Sequence, residues 1–336
     1  MSKLRILYAI QGTGNGHLSR ASAFVPHLLE RGDLDLLVSG RDVNVSLNYP
    51  IKYRLAGAGF VFGRQGGIDW WKSLGIQRPW QFLRDSRNLP LHDYDLVIND
   101  FEPVSALAAR RQGYTRMVSL SHQASFLSPK SPRPAGKAPL HAEWLFRHYA
   151  RCPHALGLHF EPYDDFIYTP VIRPGVRALV PSDRSGAVLV YLPSYGDKLV
   201  ARFLVEQSRD IPWVLFSKTV RSPETNLNIR IEPASDAAYL RHMADAAGVL
   251  CGAGFETPAE TLFLGKKLLV LPMKQQFEQA CNAEALRRMG IPVGSGLNQE
   301  TARMVRAWLK EPPPPARNWP DQSRLLLDLC FDKAGQ

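Results

Sequence analysis

Two blocks of this sequence combine residue types suited to group transfer from a phosphate-bearing substrate. The first, Gln11-Gly-Thr-Gly-Asn-Gly-His17, joins a short apolar run to a helical pattern. Glycines at positions 12, 14 and 16 allow positive φ and let a ligand approach the backbone closely. A helix opening near His17 would aim free N–H groups and the positive end of its dipole at the same spot. A diphosphate, or an anion forming during reaction, is favoured there, so Gly14 and Gly16 are candidate donor contacts. The dinucleotide fingerprint is not met, because its third glycine is missing, and the Gly-Lys-Ser/Thr ending of a P-loop is absent too. His17 could take a proton from an attacking hydroxyl near neutral pH. Capping the helix is its other open role.

The second block, Cys251-Gly-Ala-Gly-Phe-Glu-Thr-Pro-Ala-Glu260, also follows an apolar run and opens a helical pattern. Gly252 and Gly254 make a tight loop, and Thr257 adds a hydroxyl to its free amides. Glu260, one turn further on, has two oxygens able to grip the two hydroxyls of a ribose. Gln279 and Asn282 stand three apart on one helical face, where both would meet one sugar. A solvated polar face is the alternative for Gln279. In the first half, Asn99-Asp100-Phe-Glu-Pro103 falls where a strand ends, the edge at which open α/β sheets place ligands. Asp100 or Glu102 would orient His17 or act as the base, unless the stretch caps the next helix. His122 ends the following strand and is placed on the acceptor side of the same cleft.

The elements that must hold these groups alternate as short apolar runs and helical patterns, the signature of parallel sheets with crossover helices. Strands are expected near 4–10, 34–39, 94–99, 116–120 and 155–159, with helices near 18–31, 79–87, 104–112 and 140–151. Beyond Glu161 the chain turns Pro- and Tyr-rich, as a linker with an entry strand would. A second cycle follows, with strands near 187–192, 213–216, 227–232, 248–251 and 267–271. Its expected helices lie near 198–208, 236–244, 255–264 and 275–289. The Pro312–Pro315 run ends the helix before it, because consecutive prolines donate no helix bonds. The expected class is therefore α/β, two Rossmann-like domains facing across a cleft. Residues 1–165 would form the acceptor-side domain and 166–317 the donor domain, with a last helix in 318–333 able to pack back on the first.

Composition narrows the field. The 336 residues suit two domains, and no apolar run is long enough to span a bilayer. The apolar run Ile6–Ile10 is too short for a signal peptide, so a cytoplasmic location is expected, with peripheral contact at the inner face of the membrane left open. The net charge of +10 is split between the two halves. No basic run with interleaved aromatics supports nucleic acid as a partner. Cys152, Cys251, Cys281 and Cys330 lie too far apart for a metal-ligand pair. The pairs Asp33/Asp35 and Asp93/Asp95 precede their strands, the wrong end for a ligand, so no metal site is expected. Gly66–Trp71, Trp80 and the basic stretch 126–151 could form an acceptor flap or a lipid-facing patch, or be core tryptophans and a solvated face.

The second half resembles the donor domain of GT-B glycosyltransferases, in particular the family of the peptidoglycan N-acetylglucosaminyltransferase that makes lipid II. That family carries Ser-Gly-x-x-Thr-x-x-Glu, then Gly, then a strand ending in Pro, then Gln-x-x-Asn-Ala. Here stand Ala253-Gly254-Phe-Glu-Thr257-Pro-Ala-Glu260, Gly265, Pro272 and Gln279-Ala-Cys-Asn282-Ala283. The first half is similar to a bacterial and archaeal branch that shares the Gly-x-Gly-x-Gly-His loop, Asp100-Phe-Glu-Pro103 and His122-Gln123. Residues 53–93 are not covered. The chain departs from the pattern at Ala253, which replaces the serine, and at Glu256, which adds an acid to the loop.

The resemblance implies a nucleotide-sugar donor, UDP-linked, with Glu260 on ribose, Gln279 on the donor sugar, and Ser194 and Gly196 near the diphosphate. It implies inverting transfer without metal or other cofactor to an acceptor hydroxyl, lipid-linked or on a glycan. An epimerase of nucleotide-activated N-acetyl sugars and a non-catalytic sugar-nucleotide binder are the competing expectations.

Overall fold

The computed structural model describes residues 3–13, 16–40, 49–57, 79–136, 138–182, 185–207 and 210–335. The first half runs β1 (Leu4–Gln11), α1 (Gly16–Arg31), β2 (Gly32–Ser39), β3 (Tyr53–Leu55), α2 (Pro79–Asn88), β4 (Leu96–Asp100) and α3 (Pro103–Gln112). It continues through β5 (Met117–Ser121), a 3-10 segment at Gln123–Leu127, α4 (Leu140–His148), β6 (His154–Leu158) and β7 (Ile167–Tyr168). These strands form one seven-stranded sheet in the order β3-β2-β1-β4-β5-β6-β7, and every pairing is parallel. Runs such as Leu96–Asp100 are buried along their whole length, as expected of strands covered on both faces.

After a single helical turn, α5 (Pro174–Arg177), come β8 (Val188–Tyr191), α6 (Asp197–Gln207), β9 (Trp213–Ser217), β10 (Glu224–Asn226), β11 (Ile229–Pro233) and α7 (Asp236–Asp245). Then follow β12 (Gly248–Gly252), α8 (Glu256–Phe263), β13 (Lys267–Leu271), α9 (Phe277–Arg288), α10 (Gln299–Trp308) and α11 (Ser323–Ala334). The second sheet has the order β10-β11-β9-β8-β12-β13, parallel except for the β10–β11 hairpin. Helix α11 lies against α1, β4, β5 and β6 of the first half.

Boundaries shift from expectation for local reasons. Helix α4 stops at His148, with Tyr149 and Ala150 in a turn beyond it. Leu227, at φ 54, sits in the hairpin turn, so β11 begins only at Ile229. The three-residue β3 and β10 and the two-residue β7 are too short for a readable period.

In each sheet the strand order reverses once, between β1 and β4 and between β8 and β12. Such switch points open a crevice beyond the carboxyl ends of the strands, where open α/β sheets bind ligands. The two crevices face each other. One buried cluster runs from Leu18 and Phe24 of α1 through Phe160 and Val171 to Phe255 and Ala259, joining the halves behind them. No described helix is long and apolar enough to cross a membrane.

Candidate active site

The first crevice holds His17, Arg20 and Asp100. Strand β4 ends on Asp100, and Phe101 at φ 54 turns the chain sharply away, leaving the carboxylate at the sheet edge under the first turn of α1. His17 Nδ1 lies 2.8 Å from Asp100 Oδ1, and Arg20 Nη2 donates to the same oxygen at 2.6 Å. Asp100 is fully buried, while the His17 side chain keeps 12% exposure, so the imidazole is the member a substrate can reach. Burial by itself would raise the Asp100 carboxyl. The Arg20 charge and then His17 outweigh it and hold the group below its ordinary value. Asp100 Oδ2 has no hydrogen-bond partner among the described residues.

Arg20 reaches across the cleft. Its Nη1 pairs with Glu256, the first residue of α8 in the other half. Glu256 comes so close that a Cβ on Gly16 would stand 3.1 Å from its Cγ, a contact to which Glu256 would have to give way. Neither Gly12 nor Gly16 takes a positive φ; closeness of approach is what Gly16 supplies. Burial first, then the charges of Glu260 and Asp100 working against Arg20, push the Glu256 carboxyl up to about 7. Gly14 lies outside the described residues.

In the second crevice β12 ends on Gly252 and the loop after it carries Gly254, where a Cβ would meet nothing within 4 Å. Helix α8 starts without a side-chain cap, so its first amides are not taken by one. Thr257 stands in that first turn, half-buried, 3.5 Å from the Tyr239 hydroxyl. Gln279 lies over Gly252 and accepts from the Met273 amide through Oε1 at 2.9 Å. Across the switch point, the loop after β8 brings buried Ser194 and exposed Gly196 to the same rim.

Four expected site residues have other partners. Glu102 is the N-cap of α3: its oxygens accept from the Val104 amide at 2.8 Å and the Ser105 amide at 2.6 Å. The capping role that its position ahead of Pro103 left open is the one it fills. Glu260 is 4% exposed and receives Arg173 Nε at 2.6 Å and Nη2 at 3.3 Å. Its carboxylate faces a guanidinium rather than open space. Asn282 is fully buried, donating Nδ2 to the Ala253 carbonyl at 3.1 Å, with Oδ1 2.8 Å from His122 Nε2. It does not share an exposed face with Gln279, because α9 turns it under the Gly252–Gly254 loop. His122 is 1% exposed, stacked at 4.0 Å on Phe255, with Nδ1 2.8 Å from the Leu158 carbonyl. Burial lowers its imidazole below the ordinary value against the pull of Glu278. His122 and Asn282 therefore join the two halves behind the cleft.

Arg20 and Arg173 were not singled out in the sequence. Arg20 carried a signal, one helical turn beyond His17 on the same face. Arg173, 87 positions from Glu260, carried none. Among the described residues no group of three His, Cys, Asp or Glu could hold a metal ion.

Solved structures share this two-sheet architecture over almost the whole chain. UGT2 of Phytolacca americana, complexed with UDP-2fluoro-glucose and pterostilbene, is 12% identical, with 99% of this chain and 94% of that one covered and a TM-score of 0.59. A UDP-glucosyltransferase from Polygonum tinctorium that glucosylates indoxyl is 16% identical, with 99% of each covered and a TM-score of 0.58. MurG of Acinetobacter baumannii is 16% identical, with 98% and 99% covered and a TM-score of 0.56. At these identities the likeness is one of fold, the GT-B arrangement of facing parallel sheets. No curated protein matches in sequence. Residues 81–313, which include Asp100, the whole second sheet and the loops at its switch point, match the family described as Glycosyl transferase family 1, and the chain is a glycosyltransferase belonging to that family.

Proposed function

We propose that this glycosyltransferase moves a sugar from a UDP-linked donor to an acceptor hydroxyl by one inverting displacement that uses no metal ion. The observation that carries the reading is the His17–Asp100 contact, placed at one switch point and facing the uncapped start of α8 at the other. In the proposed step His17 Nδ1–H donates to Asp100, which leaves Nε2 to take the proton of the acceptor hydroxyl. The acceptor oxygen forms its bond to the anomeric carbon as the bond from that carbon to the diphosphate breaks. The first amides of α8 and the Gly252–Gly254 loop receive the leaving diphosphate. Thr257 and Gln279 contact diphosphate and sugar, with Ser194 and Gly196 on the opposite rim. Ribose at Glu260 requires Arg173 to yield one of its contacts, and half-exposed Asp236 stands ready as its remaining partner. Glu102 acts as a cap and not as a base.

In this reading residues 1–165 with 318–333 form the acceptor side and 166–317 the donor side. The shared spacing of Thr257, Glu260, Gly265, Gln279 and Asn282 supports a finer kinship with the lipid II-forming N-acetylglucosaminyltransferases.

A thermal-shift panel of nucleotides and nucleotide sugars tests the donor. UDP and one UDP-sugar should raise the melting temperature by mass action, and UDP release should persist with chelator. Interconversion of sugars without an acceptor, or activity lost on chelation and restored by a divalent ion, would sink the proposal.

A further inference from the structure

On the other face of the first sheet lies a cavity of about 380 Å³ that the transfer step does not use. Side chains alternate along a strand. Leu96 and Ile98 of β4 share a core with α1, and Asp100 keeps their parity. Val97 and Met117 belong to a separate core on the opposite face, and Ser119, two residues beyond Met117 on the same strand and so on the same face, lines the cavity. The cavity is thus separated from His17 by the sheet. Its walls are mainly apolar, with Phe101, Ala124, Leu127 and Phe146 beside Ser119, His148 and Cys152.

The rim is cationic. Arg147 and Arg151 line it, and among the described residues no carboxylate does. Both arginines are exposed, and neither has an ion pair among the described residues. Glu143, the acid on α4, is already taken by Arg133 at 2.7 Å. Two unpaired guanidiniums over an apolar recess match one ligand chemistry, an apolar body that ends in a carboxylate or phosphate. Phe101 connects this recess to the chemistry in the cleft. It follows Asp100 directly, and its ring packs at 4.9 Å on Tyr149, whose hydroxyl accepts from Gln11 Nε2 at 3.2 Å.

We propose that this cavity is a binding site for a soluble amphiphilic anion, separate from the donor crevice. The apolar body fills the recess against Phe101 and Phe146, and the anionic group sits between Arg147 and Arg151. The site does not depend on which nucleotide the cleft binds.

Calorimetry with monomeric decyl phosphate tests it, with decyl maltoside as the neutral comparison. Decyl phosphate should bind saturably at one site, about tenfold or more tighter than the maltoside. The double variant Arg147→Ala/Arg151→Ala should weaken decyl phosphate by a similar factor. Leu127→Asp, which adds a carboxylate at the exposed rim, provides a second variant with the same expected direction. All these side chains are surface-exposed, and an unchanged melting temperature reports that the variants fold. Equal affinity for charged and neutral probes, or for wild type and variants, overturns the proposal. So does sedimentation with anionic vesicles without binding of the monomeric probe, which would assign the exposed Leu140–Trp144 face to a lipid surface instead.

Discussion

Replacing Asp100 by asparagine separates the chemistry of the His17–Asp100 contact from its contribution to stability. Asp100 Oδ1 stands 2.8 Å from His17 Nδ1 and accepts from Arg20 at 2.6 Å. An amide of the same shape can keep its oxygen in the place of Oδ1, but it removes the charge that, in the proposed step, holds the imidazole proton on Nδ1. Loss of the oriented base should lower kcat by about 10²–10⁴-fold. Stability should respond far less. Removing one partner of a buried ion pair costs about 3–5 kcal/mol when a charge is left uncompensated. Arg20, however, keeps Glu256. The Asp100 charge is also one of the causes that raise the Glu256 carboxyl, so removing it lets Glu256 ionise more readily and hold the guanidinium. What remains is the change of the two contacts at Oδ1 from charge-assisted to neutral-acceptor hydrogen bonds, about 1–3 kcal/mol. UDP release from the best nucleotide sugar of the thermal-shift panel, measured beside urea unfolding of Asp100→Asn, gives both quantities. A folded variant within about threefold of wild-type kcat would refute the assignment.

Three further outcomes follow from the same contacts. Because the folded state raises the Glu256 carboxyl from 4.5 to about 7, it keeps a proton that the unfolded chain has released, and stability falls as pH rises through that window. The fall is about 3 kcal/mol, complete above the folded value. Urea unfolding across the window should show a shallower decline for Glu256→Gln, and equal slopes would contradict the cause given. Glu102→Ala should cost about 1–2 kcal/mol as a lost helix cap, with UDP release per folded molecule unchanged. A large loss of kcat would return Glu102 to the chemistry. Asn282→Ala removes the support of the Ala253 carbonyl and of His122, and should raise the donor KM with little change in kcat, at about 1–3 kcal/mol in stability. Steady-state kinetics beside thermal unfolding would show the opposite split if Asn282 acted on the transition state.

Local pattern was enough to determine the alternating elements, the parallel sheets and the loops at their carboxyl ends. An apolar run such as Leu268–Leu271, a glycine loop and a helix opening are each written within about ten consecutive residues, and a period of 2 or 3.6 is a local property. His17 and Asp100 were legible for the same reason, since each ends or follows a strand and the sheet edge is where such groups gather. What a side chain touches across the fold was not local. Glu102 and Asp100 sit two residues apart in one motif, yet the sheet sends one to the cap and the other to the histidine. Glu260 and Asn282 match a family spacing, but the partners that occupy them, Arg173 and His122, come from 87 and 160 positions away. Only the closing of the two halves on each other makes Arg20 and Glu256 neighbours, and no sequence window contains both, because charge pairing depends on distance in space and not along the chain.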